Sequence, residues 1–378
     1  MATSAAALIL NAGSSSLKAR LLAPDGQVLW QGRRDGACAA DAEALWGDWL
    51  GPALAPVLAS ALGSPLDCLA LVGHRVVHGG EQFVTPTRLT PQVLAELTAL
   101  VPLAPLHNGP ALRLMAALAA WRPQLPQWAC FDTAFHQTLP EEARTYALPE
   151  AWRQQGLRRF GFHGLNHQHI SEVVARHWAA RGRTEPLRLI SCHLGAGCSL
   201  CAIAAGRSVA TTMGFTPLDG LVMATRCGAI DPGLLLHQLR AGMAPAELEV
   251  QLHSQSGLLG LSGISADMAE LRRIVVAGES ASDDGRWLGA RRAIAVFRHS
   301  LLQGIGAMAA SLGGVDVIAF SGGIGEHDGA LRQETIDRLA WLQPFEVLVV
   351  PADEEGLIAR LCRQAAAREP LVATDIHR

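Results

Sequence analysis

The sequence predicts an α/β fold made of two duplicated domains, and the main observation behind this prediction is a repeated loop. Residues 11–18 (NAGSSSLK) form a glycine- and hydroxyl-rich loop between two apolar strands, at residues 7–10 and 17–22. Residues 193–200 (HLGAGCSL) repeat this arrangement about half a chain later. Helical patterns follow the strand-rich start of each half, which is the element order expected for two α/β domains.

The remaining elements follow in chain order. The turn Pro24-Asp25-Gly26 separates the second strand from a third strand at residues 28–30. The second half repeats this pattern, with strands at residues 187–191, 199–204 and 208–212 and a turn at residues 205–207. Helices are predicted at residues 91–100, 110–121, 231–239 and 289–312. We therefore expect a cleft between two related domains to be the natural place for a ligand.

Composition and charge narrow the class of protein. The chain has 378 residues, of which 49% are hydrophobic and 17% charged, so two domains with full cores are expected. The net charge of −3 gives no basic surface for nucleic acid. The alanine-rich stretch at residues 111–121 contains Arg113 and is too short to cross a membrane. Because no signal-peptide pattern is visible, the cytoplasm is the expected location.

The two loops suggest phosphate binding. A glycine and serine hairpin offers backbone N–H groups and hydroxyls to phosphate oxygens, and Lys18 adds a positive charge. A Walker loop is excluded because Lys18 follows three serines and continues into a strand rather than a helix. On this observation alone, two ordinary hairpins remain the alternative interpretation.

Other site classes are weakly supported. Cys198 and Cys201 form a CxxC pair, but on a strand this spacing directs them to opposite faces, and no second pair completes a zinc site. His163, His167 and His169 lie near one another in sequence without a nearby group of carboxylates. Neither glycine loop continues to the third glycine of a dinucleotide-binding fingerprint.

Charged residues recur at the ends of predicted strands and in glycine-rich turns. Arg75 lies in residues 73–80 (GHRVVHGG), and Asp132 begins the segment DTAFH at a strand end. His163 lies in a glycine-flanked turn before a helix, and Arg226 lies in another glycine-adjacent turn. A strand also runs directly into a glycine loop at residues 315–327 (VDVIAFSGGIGEH).

Taken together and in this order, these strings resemble the acetate kinases, the acetokinase family of the acetate and sugar kinase, Hsp70 and actin superfamily. The resemblance extends from about Leu8 to about Arg360. It implies two duplicated actin-like (ribonuclease H-like) βββαβαβα domains with an interdomain cleft. Residues 1–133 plus 357–378 would form an N-terminal acyl-substrate and phosphate domain, and residues 134–356 a nucleotide-binding domain. It also implies a homodimer.

The reaction implied by the resemblance is reversible, direct in-line transfer of the ATP γ-phosphoryl group to acetate, giving acetyl phosphate and ADP, with Mg²⁺ or alternatively Mn²⁺. A carboxylate is already ionised at neutral pH, so the reaction needs no base to create the nucleophile. It needs alignment and neutralisation of charge, which guanidinium groups, histidine donors and a divalent cation supply.

The resemblance also assigns roles to residues. The catalytic residues implied are Arg75, Asp132, His163 and Arg226. The phosphate and nucleotide residues implied are Asn11, Ser14, Ser16, Lys18, His193, Gly195, Gly197, Asp267, Gly323, Ile324 and Gly325. The acyl pocket implied contains Arg75, Val77, Leu106 and Pro217, and Val77 favours acetate over propionate. The metal residues implied are Asn11 and Glu354, with Glu355 as the alternative to Glu354.

Four positions depart from the family pattern. Ala196, Ala229, Ala269 and His327 stand where the family usually has asparagine, aspartate, arginine and asparagine. Loss of the arginine removes stacking and hydrogen bonds, which leaves GTP or pyrophosphate open as the phosphoryl donor. A propionate or butyrate kinase, and a nucleotide-binding regulatory protein without turnover, are the alternatives to an acetate kinase.

Overall fold

Two β-sheets organise the chain, each in its own structural unit. The computed structural model describes residues 6–13, 16–35, 46–62, 69–278 and 285–369. Contacts divide the chain into a first unit, Met1–Ala134 with Asp353–Arg378, and a second unit, Phe135–Ala352. The C-terminal segment of the first unit thus includes Glu354. The cleft and the functional division between the two predicted domains stay predictions.

The first unit contains a mixed sheet of six strands. These are β1 (Ala6–Ala12), β2 (Ser16–Leu22), β3 (Val28–Asp35), β4 (Leu69–Val76), β5 (Thr87–Arg88) and β6 (Gln127–Phe131). Their order in the sheet is β3-β2-β1-β4-β6-β5. Strands β1, β2 and β3 pair antiparallel, as a meander, whereas β4 lies parallel to both β1 and β6.

The second unit repeats this arrangement in a sheet of five strands. These are β7 (Arg188–Leu194), β8 (Cys198–Ala204), β9 (Arg207–Thr211), β10 (Val317–Ser321) and β11 (Glu346–Val349), in the order β11-β10-β7-β8-β9. Again the first three strands, β7, β8 and β9, form an antiparallel meander. Strand β10 then pairs parallel with β7, and β11 pairs parallel with β10. The shared topology confirms the duplication predicted from the repeated loop.

Helices cover both sheets. In the first unit they are α1 (Gly51–Leu62), α2 (Pro91–Ala99), α3 (Pro105–Trp121) and α14 (Glu354–Arg368). In the second unit they are α4 (Glu141–Arg144), α5 (Glu150–Arg153), α6 (Gly164–Ala180), α7 (Pro232–Arg240), α8 (Pro245–Ser254), α9 (Gly257–Ser262), α10 (Met268–Gly278), α11 (Gly285–Leu312), α12 (Gly322–His327) and α13 (Gly329–Arg338). The four helices predicted from the sequence are present, with bounds that differ by a few residues.

The C-terminal helix α14 packs against the sheet of the first unit. Gly73 on β4 allows this contact, because a Cβ there would lie only 2.8 Å from side-chain atoms of Ile358 and Ile9. The Sγ atoms of Cys130 and Cys362 lie 3.6 Å apart across the same interface. This packing brings the N-terminal end of α14, with Glu354, to the sheet.

Helix α11 belongs to the core of the second unit. By length and composition alone it could cross a membrane, because most of its arginines lie near its start. A buried core helix passes the same test, and here Phe297, Leu301 and Ile305 are almost fully buried. Gly304 also lies so close to Leu200 that a Cβ would come within 2.7 Å of its side chain. The helix therefore packs on the sheet.

The parallel strands place residues with predicted functional roles at common edges. In the first unit, Leu10 is in register with His74, and Val76 with Phe131, so Asn11, Arg75 and Asp132 emerge together. In the second unit, His193 is in register with Ser321. The carboxyl ends of parallel strands thus gather residues that lie far apart in sequence, as is common in α/β proteins.

We predict that acid destabilises the fold through buried histidines. Burial lowers the pKa of His74 and of His136 to about 4, from an ordinary value of 6.5. Between pH 6.5 and about 4 the unfolded chain therefore binds protons that the folded chain does not. The free energy of unfolding should fall as the pH falls through this window, by up to about 1.4 kcal/mol per pH unit for each histidine.

Urea unfolding at a series of pH values in this window measures the effect. The His74→Gln variant retains a side-chain donor for Gln127, which the His74 ring contacts at 2.7 Å. In this variant, the slope of the free energy of unfolding against pH should decrease by the contribution of one histidine. His299→Gln, on an exposed part of α11, serves as the matched control. An unchanged slope in His74→Gln would contradict the prediction.

Candidate active site

Arg75 and Asp132 form a buried ion pair at the strand ends of the first unit. Arg75 Nε lies 3.1 Å from both Asp132 carboxylate oxygens, and Nη2 lies 2.5 Å from Oδ2. The Asp132 side chain is only 1% exposed. Burial raises the pKa of Asp132 to about 6, although Arg75 opposes the shift. Burial lowers the pKa of Arg75, but Asp132, Glu354 and Glu355 together hold it above its usual value. Arg75 is therefore a fixed cation.

Asn11 connects this ion pair to the start of helix α14. Its Oδ1 accepts a hydrogen bond from Arg75 Nη1 at 3.1 Å. Its Nδ2 donates to Glu354 Oε2 at 3.1 Å and to Glu355 Oε1 at 2.9 Å. Both ends of the Asn11 amide are thus committed within the protein. The Asn11 side chain thus contacts Arg75 and the two glutamates considered for metal binding, and Arg75 in turn contacts Asp132.

Arg20 holds the two residues on either side of Glu354. Its Nη1 lies 2.5 Å from Asp353 Oδ1, and its Nη2 lies 3.6 Å from Glu355 Oε2. We call the whole assembly the strand-end cluster. It consists of Asn11, the guanidinium groups of Arg20 and Arg75, and the carboxylates of Asp132, Asp353, Glu354 and Glu355. Four carboxylates and two guanidinium groups leave a net charge of about −2 when all are ionised.

This excess of negative charge fits a divalent cation. Among the described residues no group of three or more histidine, cysteine or acidic side chains is arranged to hold a metal. Mg²⁺ does not require such a group, because it keeps several waters and binds through one or two carboxylates and a substrate phosphate. Glu355 contacts Asn11 and Arg20, whereas Glu354 Oε2 contacts Asn11 and lies 3.9 Å from Arg75 Nε, and the choice of Glu354 as the metal residue stays a prediction.

The first glycine loop is only partly described. Ser14 lies outside the described residues. Ser16 is buried at the start of β2, and its carbonyl accepts a hydrogen bond from Gly13 N at 2.9 Å. Lys18 is exposed and pairs with Asn11 across β1 and β2. The phosphate-binding roles of these residues stay predictions.

The predicted acyl-pocket residues are distributed over the two units. Val77 is buried directly after β4, where the neighbouring His78 backbone N–H donates to Asn108 Oδ1 at 3.1 Å. Leu106 lies in the first turn of α3, and its side chain lies outside the described residues. Pro217 is buried in a loop of the second unit. The pocket that would join them stays a prediction.

In the second unit, the glycine loop between β7 and β8 gathers basic side chains. A Cβ on Gly197 would lie 3.1 Å from His163 Nε2 and 3.6 Å from Arg226 Nη1. A Cβ on Gly195 would lie 3.8 Å from His193 Nε2 and 4.0 Å from Gly323 N. We call this set of residues the glycine-loop cluster. Because a side chain on Gly197 would crowd the His163 ring, the glycine allows these donors to lie close to the backbone of the loop.

The two histidines of the glycine-loop cluster lie side by side. Their ring centroids are 4.2 Å apart. His163 immediately precedes α6 with a left-handed backbone, φ 55°, and its Nδ1 lies 2.9 Å from Ser199 Oγ. His193 Nδ1 lies 2.7 Å from Asn166 Nδ2. In this orientation of the Asn166 amide, which leaves its buried Oδ1 without a hydrogen-bond partner, Nδ2 donates to His193 Nδ1, and neutral His193 carries its proton on Nε2, on the side of the glycine loop.

Arg226 is tied to the loop that carries Pro217. Its Nη1 donates to the Pro217 carbonyl at 3.2 Å. The backbone of its own turn is fixed to the glycine loop, because Ala224 N donates to Ala196 O at 3.1 Å. Two contacts therefore hold the Arg226 guanidinium group beside Gly197: its own hydrogen bond to Pro217, and the backbone hydrogen bond between Ala224 and Ala196.

The predicted nucleotide residues lie on two further segments of the second unit. Gly323, Ile324 and Gly325 form the start of α12, directly after β10. Glu326 Oε1 accepts hydrogen bonds from Gly322 N and from Ala352 N, each at 2.9 Å. Asp267 is exposed, and its Oδ1 accepts a hydrogen bond from Ala269 N at 2.9 Å. The nucleotide role of these segments stays a prediction.

Sequence reasoning missed the residues that support the predicted ones. Asn166 holds His193, Ser199 contacts His163, and Asn108 holds the turn beside Val77. Arg20 holds Glu355, and Glu326 connects the glycine turn after β10 to the chain that leads to Glu354. The only signal for Asn166 and Ser199 was their position inside the strings that contain His163 and His193.

Comparisons with known proteins identify the family. A model of the acetokinase family matches residues 52–359. An acetate kinase from Synechococcus sp. strain JA-2-3B'a(2-13) is 42% identical over 94% of this chain and 98% of that protein. One from Deinococcus radiodurans is 44% identical over 92% of this chain and 88% of that protein.

Solved structures agree with this result. The crystal structure of Porphyromonas gingivalis acetate kinase has a TM-score of 0.83 at 32% identity, covering 96% of this chain and 100% of that one. A propionate kinase from Francisella tularensis has a TM-score of 0.84 at 30% identity, covering 95% and 99%. These similarities confirm the resemblance and the fold class predicted from the sequence, and the chain belongs to the acetokinase family.

Proposed function

We propose that this chain is an acetate kinase, which reversibly transfers the γ-phosphoryl group of ATP to acetate to give acetyl phosphate and ADP. The observation that carries the proposal is that His163 Nε2 and Arg226 Nη1 lie within 3.1 and 3.6 Å of one point beside Gly197. Two donors close to one point suit a phosphoryl group. The acetate kinases among the relatives support the same activity.

The chemistry requires neutralisation of charge more than proton transfer. Acetate is ionised at neutral pH and attacks directly, while negative charge spreads over the transferring phosphoryl oxygens. Arg226 and His163 would donate hydrogen bonds to these oxygens. Arg75, which Asp132 holds as a fixed cation, would neutralise the acceptor carboxylate or the phosphoryl group. No residue is needed as a general base.

Mg²⁺ is the divalent cation that we propose for the strand-end cluster. Bound with ATP, it would neutralise phosphate charge and favour departure of ADP. Glu354 would hold it directly or through water. The Asn11 amide is committed to Arg75, Glu354 and Glu355, so Asn11 would orient these groups, and it would contact the cation only after rearrangement.

A propionate kinase is the second candidate for the acceptor. The observation that favours it is the similarity to the propionate kinase of Francisella tularensis. An additional methylene in an apolar pocket changes discrimination by only about 1 to 3 kcal/mol, so the two activities differ in degree. We place acetate first because Val77 is a branched residue buried beside Arg75.

ATP is proposed as the donor in spite of the departures near the nucleotide segments. Ala196 contributes a backbone carbonyl that accepts from Ala224 N, so the second glycine loop keeps its shape without a side-chain amide. Ala269 and His327 affect contacts to the base more than contacts to phosphate. GTP and pyrophosphate are therefore the donors to test beside ATP.

We further propose that the protein is a homodimer located in the cytoplasm. Helices α7 and α8 expose large apolar side chains, including Leu234, Leu236 and Val250, each about half exposed. Apolar residues grouped on a surface are typical of interfaces, and a second copy is the commonest partner. The six cysteines in the described part of the chain are free thiols, which fits a reducing compartment.

We predict that the purified protein forms acyl phosphate from acetate and MgATP, trapped by hydroxylamine as acetohydroxamate. Propionate and butyrate, and MgGTP and magnesium pyrophosphate, form a matrix of alternative pairs. The highest kcat/KM should be found for acetate with MgATP. Product from another pair only would reassign the acceptor or donor, and no product from any pair would support a regulatory protein without turnover.

We predict that Arg226→Ala and Arg75→Ala each lower kcat on the order of 10³-fold, by analogy with arginine residues that stabilise phosphoryl transfer. Arg75→Ala should also lower the free energy of unfolding by about 3 to 5 kcal/mol, because it leaves Asp132 buried without its partner. Steady-state kinetics and urea unfolding measure the two effects. Arg33→Ala, which removes an exposed guanidinium group on β3, is the control. Near-normal turnover of Arg226→Ala would contradict its role.

We predict that Glu354→Gln raises the Mg²⁺ concentration needed for half-maximal activity by at least about tenfold, since even residues that only support a metal ligand change affinity by about 10- to 100-fold. The matched control is Glu355→Gln, one residue along the helix, which should alter stability more than the Mg²⁺ requirement because it removes a partner of Arg20. Equal increases in both variants would contradict the assignment to Glu354.

A further inference from the structure

We propose that His167, acting through Ser199, is a positioning residue that keeps His163 in the tautomer with a proton on Nε2, the nitrogen facing Gly197. The proposal rests on the proposed function, in which His163 donates to the transferring phosphoryl group. It adds a cause for that donation, since a neutral imidazole donates from only one of its two nitrogens.

Four side chains form a continuous hydrogen-bonded series. Ser191 Oγ lies 2.8 Å from His167 Nδ1, and His167 Nε2 lies 2.8 Å from Ser199 Oγ. Ser199 Oγ in turn lies 2.9 Å from His163 Nδ1. Ser191, His167 and Ser199 are fully buried, and His163 is 9% exposed. We call Ser191, His167 and Ser199 the serine–histidine relay.

The direction of donation is set from the buried end of the relay. Within the described part of the chain, the hydrogen bond found for the Ser191 hydroxyl is the one to the His167 ring. A hydroxyl proton without an acceptor in a buried site is costly, so Ser191 donates to His167 Nδ1. Neutral His167 then carries its proton on Nε2 and donates to Ser199 Oγ. The Ser199 hydroxyl has one proton, which it donates to His163 Nδ1.

In this direction every donor of the relay has an acceptor. The opposite direction would leave the Ser191 proton without one. Because His163 Nδ1 accepts, neutral His163 carries its proton on Nε2. This atom lies 3.1 Å from the position of a Cβ on Gly197, in the space where we place the phosphoryl group. In the other tautomer, a lone pair on Nε2 would face phosphate oxygens and repel them.

The surroundings favour neutral rings. Burial lowers the pKa of His167 well below its ordinary value, and His136 and His193 lower it further. The His136 ring centroid lies 5.7 Å from that of His167, and His193 packs on His163. Arg226 on the open side of His163, and Arg159 acting on His136, add positive charge. A positive charge on the His163 or His167 ring would therefore be repelled by these arginines.

His193 gives independent support for the same design. Asn166, the residue before His167 on α6, donates to His193 Nδ1, which also leaves the His193 proton on Nε2. Consecutive residues at the start of one helix thus set the tautomers of two adjacent rings. Both rings then present N–H groups to the glycine loop as neutral donors, while Arg226 supplies the charge.

The test begins with the tautomer itself, measured without turnover. The ¹⁵N shifts of the histidine rings in the labelled free protein distinguish a protonated nitrogen from an unprotonated one, and loss of one set of signals in His163→Gln assigns the ring. We expect Nδ1 of His163 to be unprotonated and Nε2 protonated at neutral pH. A proton on Nδ1 alone, or on both nitrogens, would overturn the proposal.

Two variants at position 167 distinguish an effect of the hydrogen-bonded relay from a general effect on packing. His167→Gln places an amide near the position of Nε2 and can still donate to Ser199, whereas His167→Asn reaches only toward Ser191. We expect His167→Asn to lower kcat by about 10- to 100-fold, by analogy with residues that orient a histidine bound to a metal. The KM for acetate should change little, and the acid limb of the pH–kcat profile should shift. His167→Gln should restore most of the lost kcat.

His169→Asn, two residues further along α6, is the matched control and should behave as the parent protein. Equal loss of kcat in His167→Asn and His167→Gln would overturn the relay. If His167→Asn does not fold, Ser199→Ala tests the same link, with the same expected shift of the His163 tautomer. Because the ¹⁵N measurement needs no substrate, a failed activity assay with the expected tautomer refutes the proposed function and supports the relay.

Discussion

The buried ion pair between Arg75 and Asp132 is the interaction on which the strand-end cluster of the first unit depends. Two parallel strands end side by side and bring these opposite charges together out of water. A buried charge without a partner is costly, so the pair must be kept, and with it the position of Asn11 and of both glutamates on helix α14. The C-terminal helix is thus held at the sheet by electrostatics as well as by its apolar face.

In the second unit, neutral groups rather than ion pairs supply the partners of the buried histidines. Its histidines are buried beside arginine, where added positive charge would be unfavourable, so serines and an asparagine satisfy them instead. The result is a set of N–H donors with defined directions. The two duplicated sheets therefore share one topology but carry different side chains at their strand ends. The first carries fixed charges and an excess of carboxylates, and the second carries oriented neutral donors and one guanidinium group.

Much of the fold and part of the candidate site could be predicted from local sequence patterns. Apolar runs separated by glycine loops and turns predicted the three strands that begin each half, and the strings around Arg75, Asp132, His163 and Arg226 indicated phosphate chemistry. The supporting residues could not be found in this way. Asn166, His167 and Ser199 are ordinary helix and strand residues in sequence, and their importance arises from which ring each one meets. Glu354 and Glu355 are likewise neighbours of the same type in sequence, and their arginine contacts distinguish them: Glu355 lies near Arg20 and Glu354 near Arg75.

The sequence by itself determined the duplicated α/β fold, the family and the residue types available for phosphoryl transfer, because these depend on periodicity and on short motifs that are local in the chain. Only the tertiary structure decided which arginine lies near each glutamate of α14, and that Ser199 lies between the rings of His163 and His167. Both depend on contacts between segments that lie far apart in the chain. Desolvation favours these contacts, since a polar group that loses water on folding is costly unless it finds a partner in the protein.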